Sequence, residues 1–129
     1  EHLRFPFVAI EELHRVLKPG GKLLGTVAFL EPFHGDSYYH HSHLGTLNTL
    51  RHGGFNVQYV APFVHWSGLL ALAQNGLFPR MPLPLASLLI APLQWVHLLW
   101  WKVASRLRLT SPEKRLRNTT AAFAFIASR

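Results

Sequence analysis

Residues 81–101 form a run of 21 positions without a charged side chain, and this run restricts the fold more than any other feature. As a helix it would be about 31 Å long, close to the thickness of a bilayer core. Pro82, Pro84 and Pro92 interrupt it, and Ser87, Gln94, His97 and Ser105 leave a narrow polar stripe at helical spacing. On either side lie two strand-like runs, residues 55–60 and 119–127, about sixty residues apart. If they pair in one sheet, the chain must leave and return on the same side, which a single membrane crossing does not allow. Three readings stay open for the segment: attachment to a membrane surface, a lid over a substrate cleft, or a dimer contact. Arg80, Lys102, Arg106 and Arg108 flank it and fit an anionic surface, where Trp95, Trp100 and Trp101 suit the headgroup level. Peripheral membrane contact is therefore expected through residues 79–108.

The rest of the chain alternates helix and strand signals. Residues 6–17 read as a helix: Pro6 suits the first turn, Ala9, Leu13, Val16 and Leu17 share one face, and Glu11 can pair with Arg15. Pro19-Gly20-Gly21 stops it with the chemistry of a type II turn. Residues 23–30 are apolar without alternation, as in a strand buried on both faces of a parallel sheet. Residues 31–42 (EPFHGDSYYHHS) have no usable period and read as a loop after a buried strand, where open α/β sheets place ligands. Leu44, Leu47 and Leu50 fit a helix face closed by Gly53-Gly54, and residues 66–73 a short helix ended near Gly76.

Charge is distributed unevenly. Residues 1–36 balance at −1 and residues 37–129 at +8, within a net +7, so an anionic partner suits the second part. Nucleic acid is disfavoured, because the aromatics cluster in the apolar run rather than alternating with Arg and Lys. Cysteine is absent, which excludes disulfides and thiolate metal sites. His40, His41 and His43 are too unevenly spaced for helical metal ligation, so no metal is expected. Nothing in the first ten residues resembles a signal peptide, and a cytoplasmic location, with membrane association, is the expectation.

Glu1-His2, a helix closing in Arg-Val-Leu-Lys-Pro-Gly-Gly (residues 15–21), an apolar run at 23–29, Gly53-Gly54-Phe55 before a strand, and a final Ala-Phe-Ala-Phe-Ile-Ala together resemble the C-terminal half of a class I S-adenosylmethionine-dependent methyltransferase. The resemblance covers residues 1–60 and 119–128 and says little about 62–117. It implies an α/β fold: the second half of a Rossmann-like, mostly parallel sheet with an antiparallel last strand pair. Residues 1–129 would be a partial methyltransferase domain, with 62–117 an apolar and basic helical insertion between the last two strands. The implied activity is methyl transfer from S-adenosylmethionine to a small-molecule or lipid-linked acceptor. No Gly-x-Gly loop precedes a helix and no acid closes a second strand, so these parts are expected upstream of Glu1. Cofactor contacts carry over to Glu1 and His2 alone, and the isolated chain is expected to be inactive.

Methyl transfer needs an aligned nucleophile and a dry site. A hydroxyl acceptor also benefits from a base, for which His is suited. Within the loop after the strand at 23–30, His34 and His40 are the candidate bases, and Tyr38 and Tyr39 the residues to pack against an apolar acceptor. The alternative is a non-catalytic, methyltransferase-like module for interaction or membrane docking.

Overall fold

The computed structural model describes residues 1–129 except His34 and His65. The elements run α1 (Pro6–Val16), β1 (Lys22–Ala28), α2 (His43–His52), β2 (Asn56–Pro62), α3 (Gly68–Ala71) continuing as a π-helical turn (Leu72–Leu77), α4 (Leu83–Arg106), α5 (Pro112–Thr119) and β3 (Ala122–Ser128).

Local chemistry accounts for the boundaries. Pro6 starts α1, where a missing N–H costs nothing. After Leu17 the Gly21 N–H donates to the Lys18 carbonyl at 2.8 Å. Gly20 has φ +74°, so the expected type II turn is present. The Ser42 hydroxyl caps α2 by accepting from the Gly45 N–H at 3.1 Å. Past its other end, a Cβ on Gly53 would lie 2.9 Å from the Ile10 side chain, so glycine lets α2 approach α1 closely.

The chain is mixed α/β with a three-stranded sheet in the order β1-β3-β2. Strand β3 is antiparallel to both neighbours: Leu23 faces Ala127 and Val27 faces Phe123, while on the other side Val60 faces Phe125. The antiparallel pairing expected of the last two strands is present. Strands β1 and β2 therefore point the same way on either side of β3, but no two strands pair in parallel among the described residues. The expected burial of β1 on both faces does not hold. Leu23, Gly25 and Val27 are half-buried while Leu24 and Thr26 are exposed, because the helices cover one face only.

That covered face holds the larger core: Ile10, Leu50, Phe55 and Ala127, with Leu17, Leu23, Val57, Val60 and Phe125 packed against them. Helix α1 turns in Pro6, Ala9, Ile10, His14 and Leu17, and His14 meets the Phe55 ring edge-on at 5.0 Å. The expected face of Ala9, Leu13, Val16 and Leu17 is only half correct, since Leu13 and Val16 are exposed. Apolar residues occur on both sides of this helix, and packing against α2 selects the side that carries Ile10.

The strand expected over 119–127 begins later. The Ser111 hydroxyl accepts from the Lys114 N–H at 3.1 Å, and the helix it caps runs through Thr119. Thr120 forms only an isolated bridge to Ser67. Between β2 and β3 the helical segment has a small core of its own, Ala73, Ala86 and Ile90, with Leu69, Leu70, Phe78 and Met81 against it. Helix α4 ends sharply: Arg108 adopts φ +57° and the Leu109 N–H returns to the Ala104 carbonyl at 2.9 Å, a Schellman stop that sends the chain back toward α5.

Candidate functional site

Two places on this frame bring functional groups together. The first is the outer edge of β1 at its C-terminal end. There the Ala28 N–H donates to the Glu1 carboxylate at 3.4 Å, and the Ala28 carbonyl accepts from the His41 N–H at 2.8 Å. The Glu1 carbonyl in turn accepts from the Tyr38 N–H at 2.7 Å and the Tyr39 N–H at 3.3 Å. His2 stands 3.7 Å from the Glu1 carboxylate. Glu1, His2, Tyr38 and Tyr39, named from sequence, are thus one cluster. His34, a candidate base, lies outside the described residues.

His40 is held inside this loop. Its Nδ1 lies 3.0 Å from the Phe29 carbonyl, and its ring packs on Phe33 at 4.7 Å between centroids. A carbonyl only accepts, so Nδ1 must carry the proton, and in the neutral ring Nε2 keeps its lone pair. That Nε2 is buried and has no hydrogen-bond partner among the described residues. A buried polar atom left without a partner calls for an explanation; as a general base it would need the acceptor brought within hydrogen-bond reach.

The second place is a cavity of about 770 Å³ between the sheet's end and the helical segment. Leu30, Glu31 and Pro32 from the start of the loop form one wall, Trp66, Leu69 and Leu72 another, and Gln94, His97 and Leu98 of α4 with Arg115 of α5 close it. The Trp66 indole N–H donates to the Glu31 carboxylate at 2.7 Å and ties two walls together. Gly68 lets α3 settle on Leu30, since a Cβ there would be 2.9 Å from the Leu30 Cβ. The lining is mostly apolar with a few converging polar groups, the usual make-up of a small-molecule pocket. Among the described residues, none of those named from sequence as site residues lines it. Its walls come from segments far apart in the chain, and no local pattern marks them.

Helix α4 has an inverted face. Ala86, Ile90 and Ala104 are buried, and Ser87, Gln94, His97 and Ser105 are half-buried on the inner side. The outer side carries Leu88, Trp95, Val96, Leu99 and Trp100, with Trp95 73% exposed. The polar stripe seen in the sequence therefore points into the protein and the apolar side points out. The helix is long and apolar enough to cross a membrane.

Two histidines are held below their ordinary pKa. For His41 the main cause is burial, followed by the chain's α-amino charge, with Glu1 opposing. For His97 it is burial and then the positive charge of Arg115. Between these lowered values and the ordinary 6.5 the unfolded chain binds more protons than the folded one, so stability rises with pH there. Their stabilising contribution is full above about pH 6.5 and is lost as pH falls through the folded values. Melting followed by circular dichroism should show Tm falling from pH 7.5 to 5, with a shallower fall in His97→Gln. An unchanged pH slope in that variant would remove His97 from the account.

No group of three or more His, Asp or Glu is placed to hold a metal ion among the described residues. Comparison with protein-family models, curated proteins and solved structures gives no match.

Proposed function

We propose that residues 1–129 form the acceptor-side half of a class I S-adenosylmethionine-dependent methyltransferase that works on an apolar acceptor at a membrane surface. The observation that carries the reading is the strand order: β3 lies antiparallel between two co-directional strands, which fits the antiparallel last strand that the methyltransferase resemblance implies. The outer edge of β1 would then take the parallel strands. The docking of Glu1, Tyr38, Tyr39 and His41 at that edge supports the same arrangement, and the cavity beside Leu30 offers room for the acceptor's apolar part.

The described residues do not make a cofactor site by themselves. One Glu1 carboxylate oxygen is engaged by the Ala28 N–H and the other faces His2, and no Gly-rich turn before a helix is present. Isothermal calorimetry with S-adenosylmethionine should show no binding to residues 1–129, and saturable binding to the chain extended upstream in its own reading frame. Tight binding to the 129 residues, or none to the extended chain, would overturn the proposal.

The membrane part of the reading rests on the outward apolar face of α4. Helix α4 lies on the surface rather than across it, because β2 and β3 share a sheet and α5, with eight residues, spans only about 12 Å, too little to return through a bilayer. The same face also supports the second reading, a non-catalytic membrane-docking module, for which the extended chain would bind vesicles but no cofactor.

A further inference from the structure

Next to the apolar cavity lies a second hollow of about 320 Å³, lined by Leu98, Trp101, Lys102, Ser105, Arg106, Pro112 and Arg115. Leu98 and Arg115 line both spaces, so an apolar chamber and a cationic notch adjoin. Leu98, Lys102 and Arg106 follow at intervals of four along α4 and share one face, and Arg115 of α5 stands opposite. Among the described residues the ion pairs are Glu1 with His2, Glu12 with Arg15 and Glu11 with His52. The three cations of the notch have no carboxylate partner there. Three like charges gathered without an anion repel one another, and a bound anion would relieve that.

We propose that these two spaces form one binding site for a single-chain amphiphile with a phosphate head: the chain lies in the chamber against Leu30, Leu69 and Leu98, and the phosphate sits in the notch between Arg115, Arg106 and Lys102. The size suits it, since the chamber falls within the usual range of ligand pockets, roughly 300–1,000 Å³. The charge count favours phosphate over carboxylate. One guanidinium satisfies a carboxylate, whereas three cations and the Ser105 hydroxyl match a doubly charged group with three acceptor oxygens. Such a ligand would also offset the effect of Arg115 on His97, and the His97 titration would move up. The inference extends the reading of an apolar acceptor by giving it a charged end, but it rests on the two spaces alone and its test involves no methyl transfer. Failure of either leaves the other standing.

The test is calorimetry on the 129-residue chain with dodecyl phosphate below its micellar concentration, dodecanol, and inorganic phosphate. Dodecyl phosphate should bind with one equivalent, dodecanol at least tenfold more weakly, and inorganic phosphate without saturation at millimolar levels. Arg115→Gln, at a half-exposed position, should weaken dodecyl phosphate at least tenfold and dodecanol, which meets Arg115 only at the chamber wall, by less than threefold. Leu69→Trp, which fills the chamber, should remove both chain-bearing ligands. If Arg115→Gln binds dodecyl phosphate like the parent chain, or dodecanol binds equally well, the notch does not read phosphate and the proposal falls. It also falls if several equivalents bind and Trp95→Ser lowers that number, because the ligand is then coating the outer face of α4. Should Leu69→Trp fail to fold, the Arg115→Gln comparison and the histidine titration still decide.

Discussion

Replacing Leu88, Trp95, Leu99 and Trp100 together with Gln should abolish sedimentation of the chain with vesicles of anionic lipid. All four side chains stand on the outward face of α4, and Gln keeps a good helix propensity, so the fold should persist. Burying a large apolar side chain fully is worth about 1.5–3 kcal/mol. Membrane contact would recover roughly half of this at each position, about 3–6 kcal/mol over the four. The partition coefficient should drop about 10²- to 10⁴-fold. Added salt should weaken binding of the parent chain as well, since Lys102, Arg106 and Arg108 each contribute about 1 kcal/mol near an anionic surface. Equal pelleting of the two proteins would exclude the outer face as the membrane contact. A parent chain that dimerises in solution, beside a monomeric variant, would assign the face to a second copy instead.

The other large effect is expected at His40. In the extended, cofactor-binding chain, His40→Asn should slow turnover of a hydroxyl acceptor by about 10²- to 10⁴-fold while cofactor affinity stays nearly constant. Asn is chosen because its amide N–H can replace Nδ1 on the Phe29 carbonyl, the bond that fixes the ring in place. What it removes is the lone pair of the buried Nε2. The loss should fall on kcat, with KM for the acceptor nearly unchanged, a split that loss of the loop's structure would not produce. A variant with parental turnover would leave alignment alone to account for the rate. Tyr38→Phe, whose exposed side chain packs rather than reacts, should change the rate little.

How far these features were legible in the sequence depends on how local their causes are. The turn at residues 18–21 was legible because Pro19 and Gly20 dictate its dihedral angles themselves. The antiparallel pairing of β2 with β3 was legible only through the strand order that the family resemblance implies. The inner face of α1 was not, because Phe5, Val8, Leu13 and Val16 are as apolar as Ile10, and only packing against α2 distinguishes them. Thr119 and Thr120 have the β-branched character of a strand, yet the cap at Ser111 and Pro112 extends a helix over Thr119. In α4 the polar stripe of Ser87, Gln94 and His97 was evident, but its direction was not. Facing inward, it places Gln94 and His97 on the wall of the cavity. Nothing in the sequence singles out Arg115, because its neighbours in the cavity are distant in the chain.

The place of β3 also governs when this molecule can fold. It is the middle strand of the sheet, yet both of its partners precede it, β1 by about a hundred residues. A ribosome adding roughly 5–20 residues per second takes about 5–20 s to cover that distance. During that interval α1, β1, α2 and β2 are made without the strand that joins them. The sheet can therefore close only after β3 has left the ribosome. A nonsense codon only a few residues before Ala122 would remove the whole sheet rather than its edge.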